Sequence, residues 1–184
     1  MGKSGDTVSV RPSRDEDMAR ITEIYAGAVL HGLASFEYEP PAQHEMSHRR
    51  EALLKDGYPY LVAEVAGRVA GYAYAGAYRT RAGYFNTVED AIYVDPAFHR
   101  KGVGQALLAK LIEECEARDF RLMVAVIGDS ANTGSIELHR AAGFRLVGTF
   151  HSIGYKHGQW LDSVQMERKL GPGDSMPPDR MGPA

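Results

Sequence analysis

Two acidic side chains, Glu89 and Asp90, stand in a run of β-branched and aromatic residues, Thr87-Val88-Glu89-Asp90-Ala91-Ile92-Tyr93-Val94. A glycine turn follows, Lys101-Gly102-Val103-Gly104. A carboxylate within reach of an attacking group can take its proton. A glycine turn at a helix start can hold an anion, most naturally phosphate. Glycines let a ligand close on the main chain, and the first helical N–H groups lack partners within the helix. Farther on, Ser135 and His139 lie one turn apart on one helix face. Arg79 and Arg81 offer guanidinium forks to oxyanions.

Each feature also has a plainer reading. The turn can be a tight connection with no ligand, and Glu89 a surface carboxylate. Glu89 and Asp90 point to opposite faces of a regular strand, and Asp90 shares its face with Val88, Ile92 and Val94. That face reads as buried, so Asp90 needs partners and reads as a hydrogen-bond hub. Alone, His139 is a packed or surface helix residue, Asn132 a helix cap, and Arg79 with Arg81 a solvated pair. Cys115 lies on the apolar face of its helix and reads as a structural thiol.

These groups need a frame. Thr87 to Val94 reads as a strand, stopped by Asp95-Pro96 because proline gives the ladder no N–H. Leu107, Leu108, Leu111, Ile112 and Cys115 recur with the period of one helix face. Leu122 to Ile127 is a continuous apolar run, as a strand buried on both faces requires. Residues 87 to 127 therefore form a β-α-β unit with a right-handed crossover. Upstream lie a strand at Val8–Arg11 and a capping box at Ser13-Arg14-Asp15-Glu16. A helix follows with the stripe Met18, Ile21, Ile24, Tyr25, Ala28. Then come a loop with Phe36, a second helix over 41–55, and a hairpin of 60–65 with 68–77 turning at Ala66-Gly67. A polar connection, 78–83, leads to the central strand. Downstream, a helix over 132–142 is stopped by Gly143. An antiparallel pair, 144–155 and 160–169, turns at His157-Gly158, with Trp160 expected to pack on the core.

Length and composition bound the rest. One domain over residues 1–170 is expected, with a disordered Pro/Gly-rich tail over 171–184. A net charge of −3 gives no support for general nucleic-acid binding. The single cysteine excludes an intrachain disulfide and fits a reducing, cytoplasmic setting. No apolar run is long enough to span a membrane, and Met1 to Asp6 contains no apolar signal segment. The glycine pattern is not a P-loop. A dinucleotide fingerprint fails as well, because its third glycine would fall at Leu107 and its acidic residue near Val124.

His99-Arg100-Lys101-Gly102-Val103-Gly104 resembles the Q/R-x-x-G-x-G/A motif of the GNAT superfamily of N-acetyltransferases, with His99 in the first position. Asn132 to Phe144 is similar to that family's N-x-x-S-x-x-L-Y/H-x-x-x-G-F helix. T-V-E-D-A-I-Y-V, I-G-D-S-x-N, S-I-x-L-H and G-Y-K-H-G-Q-W-L-D together resemble the phosphinothricin and methionine sulfoximine N-acetyltransferase branch, over about residues 8 to 168.

The resemblance implies an α/β fold (α+β by some schemes). It has a mixed, mostly antiparallel sheet of about seven strands, a parallel pair at the acetyl-CoA site and about four flanking helices. It implies acetyl-CoA as cosubstrate, held by Ile92, Tyr93, Val94, His99, Arg100, Lys101, Gly102, Val103, Gly104, Gln105, Asn132 and Ser135. Glu89 becomes the candidate general base and His139 the proton donor to the departing thiolate. Phe36, Arg79, Thr80, Arg81, Tyr84, Val88 and Glu89 become substrate-binding candidates. No metal is implied, and a homodimer is. The implied acceptor is the α-amine of phosphinothricin, methionine sulfoximine or methionine sulfone. A polyamine, an aminoglycoside or a protein N-terminus stays open as acceptor, as does a non-catalytic acyl-CoA sensor.

Overall fold

The computed structural model describes residues 7–179. Seven strands form one sheet: β1 (Val8–Pro12), β2 (Tyr60–Val65), β3 (Arg68–Ala77), β4 (Thr87–Val94), β5 (Leu122–Gly128), β6 (Arg145–Lys156) and β7 (Gln159–Lys169). Their order is β1-β2-β3-β4-β5-β7-β6. Every neighbouring pair is antiparallel except β4 with β5. Four α-helices cover the faces: α1 (Met18–His31), α2 (Gln43–Lys55), α3 (Val103–Glu116) and α4 (Thr133–Ala141). This is the expected mixed fold, with the β4-α3-β5 unit where the periodicities place it.

Alternation along the strands builds two cores. Leu61, Ala63, Ala73, Ala75 and Val88 pack with Leu107, Leu108, Leu111 and Cys115 of α3. Tyr60, Val62 and Tyr72 pack with Met18, Ile21, Tyr25 and Val29 of α1 and Met46 of α2. The small residues of β3 on the α3 side let that helix lie close. On the other side, aromatic rings of β2, β3 and β4 stack across strands, Tyr60 with Tyr72 at 5.8 Å and Tyr72 with Tyr93 at 5.2 Å. Burial pushes the Cys115 thiol up to about 12, so it is inert packing.

The two tight hairpins turn where expected. Ala66 and Gly67 have φ of 49° and 74°, and His157 and Gly158 have 49° and 77°. Both pairs give the doubly left-handed turn that matches strand twist.

Three expectations are corrected. Asp17, not Glu16, reaches back to the helix start, accepting from the Arg14 N–H at 2.7 Å. Ser13 is instead buried under α2, where its Oγ and carbonyl accept from Arg50 at 2.7 and 2.8 Å. Trp160 does not pack on the core. It is 67% exposed and meets the Tyr155 ring edge-on, because its strand position faces outward. The second helix begins at Gln43 rather than at Pro41.

Residues 171–179, read from composition as tail, lie in turns against the α3–β5 connection. Arg121 donates to the carbonyls of Gly173 and Pro177 at 3.4 and 3.3 Å. Residues 180–184 lie outside the described residues. Among the described residues no helix is long and apolar enough to cross a membrane.

Candidate active site

The site begins with a parting in the sheet. β4 and β5 pair from Thr87↔Leu122 to Asp90↔Ala125 and no further. β4 continues along β3 to Val94, and β5 along β7 to Gly128. Beyond Asp90 the two parallel strands separate, and a cavity of about 410 Å³ opens between them. It is lined by Ala91, Ile92 and Tyr93 on one lip and Val126, Ile127 and Gly128 on the other. The β5-facing backbone groups of Ala91 to Val94 have no strand partner among the described residues. Main-chain groups left open along a strand can pair with an added extended segment, so this lip suits an extended amide-bearing ligand.

The acid–base groups sit where the strands part. Glu89 and Asp90 both line the cavity, from opposite faces of β4. Burial raises the Glu89 carboxyl above its ordinary range, Arg79 pulls it down, and the charge of Asp90 raises it further. The Asp90 side chain is 2% exposed and meets His139, 4% exposed, with Oδ2 to Nε2 at 3.0 Å. His139 Nδ1 lies 2.7 Å from the Ser135 carbonyl, which can only accept, so Nδ1 carries hydrogen. Nε2 and Oδ2 therefore share the remaining proton. Burial alone would lower the His139 pKa. The hydrogen bond and charge of Asp90 and the Ser135 carbonyl outweigh it, and the net shift is upward. Asp90 Oδ1 is buried with no hydrogen-bond partner among the described residues.

α4 is placed for this contact by its cap. Asn132 Oδ1 accepts from the Ser135 N–H at 3.2 Å, and Gly143 ends the helix at φ 85°. Ser135 Oγ lies 3.4 Å from His139 Nδ1.

The glycine turn leaves the C-terminal end of β4. Arg100 and Gly102 are left-handed, with φ of 60° and 80°. The first helical bond is Ala106 N–H to the Gly102 carbonyl at 2.9 Å. The N–H groups of Val103, Gly104 and Gln105 therefore have no acceptor within α3, which leaves an anion seat at a fourteen-residue helix. His99 turns back, its Nε2 3.1 Å from the Val94 carbonyl, and so braces the turn. Lys101 lies over the Phe98 ring at 5.0 Å.

A loop closes the cavity from the α1 side. Ala34, Ser35, Phe36 and Glu37 line it, with Tyr25 and Tyr74 behind them. Tyr25 and Ser35 join their hydroxyls at 3.1 Å.

The structure thus brings Phe36, Glu89, Ile92, Tyr93, Asn132, Ser135 and His139 to one cavity. Val88 is a correction: its side chain is fully buried in the core under α3 and lines no part of the cavity, because it sits on the paired stretch of β4 before the strands part. Arg79, Thr80, Arg81 and Tyr84 lie in the β3–β4 connection outside the cavity lining. Arg79 stacks on Tyr78 at 4.2 Å, while Tyr84 lines a separate groove of about 260 Å³ with Tyr78, Val124 and Phe150. Tyr25 and Tyr74 line the cavity with no motif to mark them, although alternation places Tyr74 on the face that carries Glu89.

A slot between diverging parallel strands, a helix start with open N–H groups at its end and titratable groups in its throat make an arrangement suited to group transfer from a phosphate-bearing donor. Residues 27–144 match the Acetyltransferase (GNAT) family, and the chain belongs to that family. Its members use acetyl-CoA as cosubstrate. The chain is 47% identical to a phosphinothricin N-acetyltransferase of Alcaligenes faecalis, over 93% of this chain and 87% of that one. It is 39% identical to an L-methionine sulfoximine/L-methionine sulfone acetyltransferase of Salmonella typhimurium, over 89% and 95%. The structure is similar to that of a GNAT superfamily phosphinothricin acetyltransferase from Sinorhizobium meliloti in complex with AcCoA. The TM-score is 0.92 at 45% identity, covering 96% of this chain and 95% of that one.

Proposed function

We propose that the protein transfers the acetyl group of acetyl-CoA to the α-amine of a small anionic amino acid analogue, of the phosphinothricin, methionine sulfoximine or methionine sulfone kind. The observation that carries this is the cavity between β4 and β5, with Glu89 on one face and the Asp90–His139 pair on the other. The similarity to relatives bearing those names supports the acceptor class.

The chemistry follows from the groups present. Val103, Gly104 and Gln105 N–H groups, with Arg100 and Lys101 nearby, suit the diphosphate of the donor. The open β4 lip at Ile92, Tyr93 and Val94 suits its amide arm. Glu89 takes the proton from the attacking amine as the new C–N bond forms. Backbone N–H groups of the same lip stabilise the oxyanion, commonly the largest electrostatic contribution to acyl transfer. The C–S bond then breaks, and the thiolate takes the proton held by the Asp90–His139 pair. Phe36 walls the acceptor side.

A thiol-release assay with acetyl-CoA over a panel of amines tests the acceptor class. Methionine sulfoximine or phosphinothricin is expected to give the highest kcat/KM. Arg79→Ala is expected to weaken it several-fold, because the charge of Arg79 reaches Glu89, and Arg81→Ala, which removes the second guanidinium of the same connection, is expected to act in the same direction. Polyamines as best substrates, with silent arginine changes, would refute the assignment.

We also propose a homodimer. β6 is an edge strand, and Leu146, Val147, Phe150, Ile153 and Tyr155 on it are each at least 50% exposed, beside Trp160. A long apolar edge is a liability unless covered, and a second copy offers the matching surface. Light scattering is expected to give twice the chain mass, with Ile153→Asp shifting it to monomer. A wild-type monomer at all concentrations would sink this. The lone buried thiol supports a cytoplasmic location.

A further inference from the structure

Lys156 ends β6 and is 2% exposed. A buried ammonium is tolerated only where its protons are taken up. No carboxylate forms an ion pair with it among the described residues. Its Nζ donates instead to two main-chain carbonyls, Ser35 at 2.7 Å and Gly32 at 3.2 Å. Both acceptors belong to the loop that closes the cavity. Burial pulls the Lys156 pKa below the ordinary lysine value, with the charge of Glu37 opposing.

The same loop meets the same hairpin twice more. The Tyr38 hydroxyl donates to the Tyr155 carbonyl at 2.5 Å. The Phe36 ring lies against the bare Cα of Gly154, where any Cβ would collide with it. On the β5 side, a Cβ at Gly128 would come within 2.6 Å of the Leu33 carbonyl. Residues 32–38 contain no regular structure of their own. Their course is set by what they are fastened to, and Lys156 supplies two of the fastenings from inside.

We infer that Lys156 is a positioning residue for the acceptor. Its ammonium holds the loop so that Phe36 and Glu37 face the cavity, and acceptor affinity depends on it while acetyl-CoA affinity does not. The inference rests on reading this end of the cavity as the acceptor site. Among the described residues no hydrogen bond or ion pair joins Lys156 to the glycine turn or to the Asp90–His139 pair, so the effect has one direction.

The test uses Lys156→Met, which keeps the length and apolar stem but donates no hydrogen bond. Two readouts are taken. In steady-state kinetics, KM for methionine sulfoximine is expected to rise about tenfold, with KM for acetyl-CoA within about twofold of wild type. In hydrogen exchange, the amides of residues 33–38 are expected to exchange about tenfold faster, with those of β4 and α3 unchanged. Unchanged exchange in the loop overturns the inference. So does a parallel rise in both KM values with faster exchange throughout, which would mark a general structural role. Should wild type acetylate no amine, the acceptor reading fails on its own, while the exchange experiment still decides whether Lys156 anchors the loop. If Lys156→Met does not fold, Tyr38→Phe removes one exposed fastening and is expected to move both readouts the same way, by a smaller factor.

Discussion

Replacing Glu89 with Gln is expected to lower kcat about 100-fold or more, the usual contribution of a positioned general base. The amide keeps the shape of the side chain and cannot take the proton. Glu89 lies in the throat of the cavity, where burial raises its carboxyl above the ordinary range against the pull of Arg79. The sign fixes the pH dependence. A base with a raised pKa becomes protonated at a higher pH, so wild-type turnover falls early as pH drops, and the fall begins above the range of a solvated glutamate. The variant should lack that acidic limb. Rate measurements across about pH 5 to 9 read both effects. Equal turnover in the two proteins at every pH would remove Glu89 from the mechanism.

His139→Leu is expected to cost about 3–5 kcal/mol of stability, the range seen when one partner of a buried pair is removed. Neither side chain of the pair reaches solvent to any extent, and Asp90 Oδ1 is already without a partner among the described residues. The variant would leave both carboxylate oxygens buried and unpaired. The His139 pKa is raised in the fold. Its contribution is therefore full below the unfolded value of about 6.5 and is lost as pH climbs through the folded value. The gap between wild type and variant in urea unfolding should be wide at pH 6 and narrower at pH 9. Adding Asp90→Leu should recover much of the loss, because the orphaned charge goes with it. A single change no costlier than a surface substitution would mean that the pair is not coupled.

Much of this site is legible in one dimension. The strand, turn and helix from Thr87 to Glu116 are encoded by a change of apolar period across a glycine turn, which is local physics. The opposite facing of Glu89 and Asp90 follows from strand alternation, and so does the need of Asp90 for a partner. Its partner His139 lies 49 residues away, and only the packing of α4 against β5 and α3 brings the two together. The same alternation places Val88 on the buried face, where the fold keeps it under α3. What stays illegible is set by register between distant strands. The point where β4 and β5 separate depends on which rung is the last to pair. Lys156 looks like one more surface lysine at a hairpin tip until the loop at Ser35 arrives beneath it. Trp160 carries the volume of a core residue, and only the sidedness of an edge hairpin turns it outward.

The seam between β4 and β5 is four rungs long, Thr87 to Asp90 against Leu122 to Ala125. Each strand is fully zipped to its far neighbour, β4 to β3 and β5 to β7. The molecule is thus two ribbons stitched over a short length, with the remaining stitches left out. A molecule lying in that slit would supply the missing rungs. Occupancy would then fasten the halves together as well as feed the reaction, and departure of the spent carrier would unlace them again.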